Sequence, residues 1–195
     1  MTEPLDARWD RHYAEATPLQ GLSAAVLNEN LHLLPRHGDA LDLASGLAAN
    51  AFVLARQGLA VRAWDLSAVA TRVVQAHAVE TGLAVTAEQR DVGREPPATD
   101  QFDVIVVSSF LDRERCPAIA RALRPGGLLF YQTFCQRRVA PGGPSNPDFL
   151  LADGELLRLF RDLQPVVYRE EGELGDPFRG FRDRAMLVAV RPRES

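Results

Sequence analysis

An aspartate near the end of an apolar strand, a glycine turn and the start of a helix follow one another in ALDLASGLAANAF, from Ala40 to Phe52. A second acid, Asp65, closes the next apolar stretch, VRAWDLS. This pairing is how an α/β sheet presents a nucleoside-bearing cofactor at the carboxyl ends of its strands. The turn holds one end of the ligand. A carboxylate only accepts hydrogen bonds, so Asp65 suits the two adjacent hydroxyls of a ribose. Asp65 as a helix cap is the plainer alternative, but Ser67 already fills that position. The G-x-G-x-x-G fingerprint of dinucleotide sites needs three glycines, and the matching positions here are Ala44, Gly46 and Ala49. A close pyrophosphate, and with it a nicotinamide cofactor, is therefore disfavoured. A nucleoside cofactor with no phosphate at the turn fits better, and S-adenosylmethionine is the leading candidate.

Each neighbour of the turn has a physical reading. Gly46 lets the backbone bend sharply and approach a ligand that a Cβ would obstruct. The helix after it aims free N–H groups at an anion such as a carboxylate. Asp42 fixes the loop, either as a loop-capping acid alone or while also reaching the ligand through water. Trp9 and Tyr13 share one helical face, four residues apart, which by itself reads as a core anchor for the N-terminal helix.

The elements that position these groups alternate strand and helix, which predicts a mostly parallel sheet covered on both faces. Helices are expected over Pro4–Tyr13 and, capped by Ser23, over Ser23–Leu34. The strands are expected at Ala40–Leu43, Ala60–Asp65, Ala84–Gln89, Phe102–Val107 and Leu128–Phe134. Helices follow the first, second and fourth of these, to Gln57, from Ser67 to Gly82, and over Asp112–Leu123. Pro125-Gly126-Gly127 reads as a turn. Between Arg94 and Asp100 the chain is too short for a full crossover helix. FDVIVV is apolar after its first turn and belongs at the sheet centre. A helix near Asp153–Phe160 and an antiparallel edge hairpin, around Pro165–Glu170 and Arg184–Arg191, complete the pattern.

Composition narrows the classes. The 195 residues are 46% hydrophobic with a net charge of −4, which fits one globular domain with a substantial core. All 22 basic residues are arginine, and a mildly acidic chain offers no general field for nucleic acid. The clusters Arg137-Arg138 and Arg179-Arg182-Arg184 read as solvated surface. No apolar run approaches the ~20 residues of a membrane helix, and no signal-peptide pattern opens the chain, so a cytoplasmic location is expected. Cys116 and Cys135 imply no disulfide framework. The four histidines lack metal-ligand spacing, and no metal site is expected.

The order LDLASG, AWDLS, Asp91-Val92 and FDVIVV followed by LRPGG resembles the class I S-adenosylmethionine-dependent methyltransferases, over about Trp9 to Val190. WDRHY, FLDR and GPSNPDFLL are similar to the small bacterial branch of tellurite-resistance and thiopurine methyltransferases. The resemblance implies a Rossmann-like, doubly wound, seven-stranded α/β sheet, mostly parallel with an antiparallel edge hairpin strand. It implies a single methyltransferase domain over 1–195, with a helical segment, 1–35, closing over the cofactor. The cofactor would be S-adenosyl-L-methionine and the partner a small-molecule methyl acceptor, with no nucleic acid or membrane, in a monomer or weak homodimer.

The cofactor residues so implied are Trp9, Tyr13, Asp42, Ala44, Ser45, Gly46, Asp65, Leu66, Ser67, Asp91, Val92 and Ser108. Asp91 and the Val92 amide would meet adenine, between Leu66 and Val92, while the Ser108 carbonyl would face the methionine portion. Phe110, Arg113, Phe134 and Arg138 are the expected acceptor side. Arg113 has the alternative of pairing with Glu114 or Asp112. No catalytic base is assigned. A non-catalytic module that keeps the fold is the alternative, suggested by alanines where many relatives carry G-x-G-x-G.

Overall fold

The computed structural model describes residues 4–15 and 22–193. Its centre is the strand expected to be most buried. β4 (Phe102–Ser108) hydrogen-bonds in parallel to β1 (Asp39–Leu43) on one side and to β5 (Leu123–Phe134) on the other. β2 (Ala60–Asp65) extends the sheet beyond β1, and β3 (Val85–Gln89) beyond β2, both parallel. At the far side β7 (Arg184–Val190) enters antiparallel between β5 and the edge strand β6 (Gln164–Arg169). The order β3-β2-β1-β4-β5-β7-β6 reverses direction between β1 and β4. There the loops leaving the two strands diverge and open a crevice at their carboxyl ends. This is the sheet class expected from the alternation of elements.

The helices split by face because strand side chains alternate. On one face Val104, Val106, Phe130 and Val188 pack with α2 (Ala25–Asn28), α3 (Ala49–Arg56) and α4 (Ala68–Thr81). On the other, Ile105, Val107, Tyr131 and Leu187 pack with α5 (Cys116–Ala122) and α6 (Glu155–Leu159). α1 (Leu5–His12) buries no residue. Ser67 caps α4 by accepting from the Ala70 amide at 3.1 Å. No helix among the described residues is long and apolar enough to cross a membrane.

Several element boundaries differ from expectation, each for a tertiary reason. The helix expected over Ser23–Leu34 shrinks to α2 and a 3-10 turn at Leu31–Leu33. Asn30 Nδ2 donates to the Val26 carbonyl at 2.9 Å, taking the acceptor that a continuing helix would use. Ser23 is not the cap. The Ala24 and Val26 amides instead donate to Asn50 Oδ1 at 2.8 Å and Gln132 Oε1 at 2.9 Å. α5 starts at Cys116 rather than Asp112, with Pro117 in its first turn, a place where a missing N–H is harmless. Pro125-Gly126-Gly127 lies inside a long β5, at a register shift between Phe102 and Val104 of its neighbour.

Candidate functional site

The crevice begins where β1 ends. Ala44, Gly46 and Ala48 all take left-handed backbone, with φ of 54°, 52° and 57°. The alternation folds the loop back so that Ser45 N donates to the Trp64 carbonyl at 2.9 Å and Ala48 N to Ser45 at 2.8 Å. A Cβ on Gly46 would stand 2.7 Å from Tyr13 Oη, so only glycine allows this contact with α1. The alanines hold a glycine-type geometry at a cost of about 1 kcal/mol each. Ala44→Gly and Ala48→Gly remove that strain but loosen the unfolded chain. Each is expected to leave stability unchanged or raise it by up to about 1 kcal/mol, read from denaturant midpoints. A loss of about 1 kcal/mol would show that the strain is not there.

Asp65 ties this loop to the next. Its Oδ2 accepts from Gly46 N at 2.7 Å and its Oδ1 from Ser67 N at 2.9 Å. Each carboxylate oxygen has a further lone pair, so both can still accept from a ligand hydroxyl. Burial pushes the Asp65 carboxyl above its ordinary range, against the pull of the Ser67, Gly46 and Leu66 amides. Asp91, by contrast, turns Oδ1 onto its own loop, accepting from Gly93 N at 2.9 Å and Arg94 N at 3.3 Å. Val92 is buried in the core cluster with Trp64.

α1 roofs the crevice. The Trp9 and Tyr13 rings stack at 5.9 Å. Burial, then the Asp65 charge, pushes the Tyr13 hydroxyl up to about 12. Asp10 fastens the helix to the start of α4, accepting from Ser67 Oγ at 2.6 Å and Val69 N at 3.1 Å. That carboxylate sits at the positive end of the α4 dipole. The Ser67 hydrogen bond is the first cause holding Asp10 below its ordinary range.

The crevice measures about 760 Å³. Trp9, Tyr13, Ala44, Ser45, Gly46, Asp65, Leu66, Asp91, Val92, Ser108 and Phe110 all line it. His12, Asn50, Arg90, Ser109 and Asp112 line it as well. Asn50 was not anticipated, and it organises the floor. Its Nδ2 donates to Asp42 Oδ1 at 3.3 Å and to Ser108 Oγ at 3.1 Å. A polar residue in the first turn of the otherwise apolar stretch Ala49–Ala55 was the available signal.

Other expected residues are not among those lining the crevice. Asp42 is fully buried beneath the loop, accepting from Asn50 and from Ala51 N at 3.0 Å, and burial pushes its carboxyl up to about 7. Ser67 is buried behind Asp65, capping α4. Arg113 pairs with neither Glu114 nor Asp112. It grips Glu155 with Nε at 2.7 Å and Nη2 at 3.0 Å, and Nη2 also donates to the Leu150 carbonyl at 2.9 Å. Phe134 lies under the Arg184 guanidinium at 4.3 Å, and Arg138 donates to the Gly142 and Pro144 carbonyls. Among the described residues no group of three or more His, Cys, Asp or Glu side chains is placed to hold a metal ion. Both cysteines are buried and free, and burial pushes each thiol up to about 12.

The residues present suit S-adenosylmethionine. The buried carboxylate keeps free lone pairs beside the loop, the loop approaches without a Cβ, and the space falls in the range of small-molecule sites. Residues 40–127 match a family model described as a methyltransferase domain. The ubiquinone biosynthesis O-methyltransferase of Sodalis glossinidius is 26% identical over 207 residues, 93% of this chain and 81% of that protein. Alignments to several further proteins of that description cover 53–61% of their length. In fold, the chain is similar to TehB from Haemophilus influenzae, with a TM-score of 0.69 at 21% identity over 94% of this chain and 67% of that one. A protein solved for the conversion of a disulfide bond into a thioacetal group during echinomycin biosynthesis gives a TM-score of 0.72 at 21% identity, covering 98% and 95% of the two chains. With the seven-stranded order, the left-handed loop and the strand-end acid, these likenesses place the chain in the class I S-adenosylmethionine-dependent methyltransferases, with S-adenosylmethionine as its cofactor.

Proposed function

We propose that this methyltransferase transfers its methyl group to a small-molecule acceptor by in-line displacement, driven by positioning and by exclusion of water. The observation that carries the reading is the crevice itself, where Asp65, the left-handed loop and the α1 roof meet around a space with a free side toward Ser108, Ser109 and Phe110. Bound S-adenosylmethionine supplies an already activated methyl on a sulfonium. The chain's work is to bind, orient and enclose. Asp65 accepts from the ribose hydroxyls. Amides at the start of α3, whose N-cap Ala48 offers no side-chain acceptor, receive the methionine carboxylate, while Asp42 takes the Ala51 amide. Leu66 and Val92 flank the adenine, with Asp91 at its edge. The Ser108 carbonyl faces the methionine portion, and the Asn50 bond to Ser108 Oγ holds that strand end in place.

Trp9 and Tyr13 close the roof, so α1 is the part of the N-terminal segment that covers the site. Exclusion of water favours a reaction that quenches charge, and alignment of the nucleophile accounts for much of the rate. No side chain is assigned as a base. The description of the curated relatives supports including oxygen acceptors among those tested.

The test is transfer of labelled methyl to a panel of catechols, thiols, amines, carboxylic acids, selenite and tellurite. At least one is expected to yield a methylated product, and Asp65→Ala to abolish it. Label entering only protein or nucleic acid would overturn the small-molecule reading.

A further inference from the structure

Several arginines of this fold are tied to acids. Arg113 grips Glu155, Arg124 bridges Asp39 and Asp103, Arg137 meets Asp153, Arg169 meets Glu171, and Arg191 meets Asp100. Arg184 is different. It is half-buried, yet its guanidinium has no hydrogen-bond or ion-pair partner among the described residues, only the face of Phe134 at 4.3 Å. The acid next to it does not serve it, because Asp183 Oδ1 accepts from the Val139 amide at 2.6 Å and from the Ala140 amide at 3.3 Å. Desolvation pulls Arg184 below its ordinary value, with Asp183 opposing only in part. A guanidinium withdrawn from water without an acceptor is a cost to the fold.

Its place is set by strand register. Ser108, Gln132 and Met186 stand opposite one another across β4, β5 and β7. Phe134 and Arg184 form the pair two residues nearer the carboxyl end of β5, on the same sheet face. Arg184 therefore lies two strands and two residues from Ser108, about 12 Å away at ordinary strand spacing. The Val139–Asp183 bond brings Arg138 to the same corner, and Arg138 meets only the Gly142 and Pro144 carbonyls. The crevice itself is lined by three aspartates, Asp65, Asp91 and Asp112, against one arginine, Arg90, so a negative group on an acceptor is favoured more at this corner than there.

We propose that Arg184, with Arg138 beside it, forms a subsite for a carboxylate carried by the methyl acceptor, about 12 Å from Ser108. The planar guanidinium suits a carboxylate bidentately. An anionic end held here turns the nucleophilic end of the acceptor toward the crevice. This inference rests on the proposed small-molecule reading and adds the acceptor's charge and reach.

The test uses the full chain loaded with S-adenosylhomocysteine. 3,4-Dihydroxybenzoate and 3-(3,4-dihydroxyphenyl)propanoate are titrated calorimetrically beside their uncharged amides. The wild type is expected to prefer at least one acid over its amide by tenfold or more. Arg184→Met is expected to erase that preference, Arg184→Lys to keep part of it, and neither to lower the melting temperature. A preference below tenfold for both acids over their amides, no binding of any probe, or an undiminished preference in Arg184→Met would overturn the subsite. Melting lowered in Arg184→Met with its preference intact would mark Arg184 as a cover for Phe134 and overturn it too. Failure to bind S-adenosylhomocysteine would instead strike the cofactor reading beneath it.

Discussion

Replacing Asp65 with Ala is expected to weaken S-adenosylmethionine binding by about a hundredfold. Hydrogen bonds to a charged group contribute roughly 1.5–3 kcal/mol each, and tenfold in affinity corresponds to about 1.4 kcal/mol. Two ribose hydroxyls share this carboxylate, so a net loss of about 3 kcal/mol is a moderate expectation. The substitution also strips an acceptor from Gly46 N and Ser67 N, which the carboxylate holds at 2.7 and 2.9 Å. The loop is therefore expected to loosen, and calorimetry well below the melting temperature separates the two effects. An affinity within about threefold of the wild type, roughly 0.6 kcal/mol, would refute the ribose role.

The second large effect concerns Asp42 and pH. Its carboxyl ionises near 3.8 in an ordinary environment and is pushed up to about 7 by burial, with Asn50 and Ala51 pulling the other way. The folded protein thus holds this proton more tightly than the unfolded chain. The associated stability is fully present below about 3.8 and is lost as pH rises toward about 7. Between pH 5.5 and 8 the loss amounts to about 2 kcal/mol from this group, at about 1.4 kcal/mol per pH unit. Asp42→Asn cannot ionise, so its denaturation free energy is expected to fall by about 2 kcal/mol less over that range than the wild type's. Its absolute stability is lower at acid pH, because the amide Nδ2 donates where one of the two carboxyl oxygens accepts from Asn50 or Ala51. Parallel pH profiles for the two proteins would contradict an Asp42 that is neutralised by burial.

Local chemistry was readable in the chain, and distant chemistry was not. β2, β4 and α4 announce themselves through an apolar run, a Ser67 cap and a Gly82 stop, all within a few residues of where they act. The place of Asp65 was readable for the same reason: the strand-end acid beside the glycine turn accepts from Gly46 N and lines the crevice. The short α2 was not, because Asn50 and Gln132 decide where it begins, from 26 and 106 residues away. Arg113 was expected on the acceptor side for its place after β4, yet its partner Glu155 lies 42 residues on. Phe134 was expected there for its place at the end of β5. The antiparallel entry of β7 sets it against Arg184, and single-strand patterns carry no information about that pairing. Asp10 carries no signal of its own in the sequence. Its role as the fastening of α1 depends on where α4 begins.

The alanines at 44 and 48 show the same division. Their sequence says that two glycines are absent from the loop, whereas the backbone shows that the left-handed turns persist without them. The left-handed loop geometry is therefore kept, at the cost of local strain.

Isothermal titration of the purified chain with S-adenosylmethionine and S-adenosylhomocysteine tests the central claim most directly. Both are expected to bind one site per chain with micromolar affinity, about −8 kcal/mol, and NAD and NADP to give no heat. No heat from either adenosyl ligand, or binding that Asp65→Ala leaves unchanged, would contradict the assignment of the crevice.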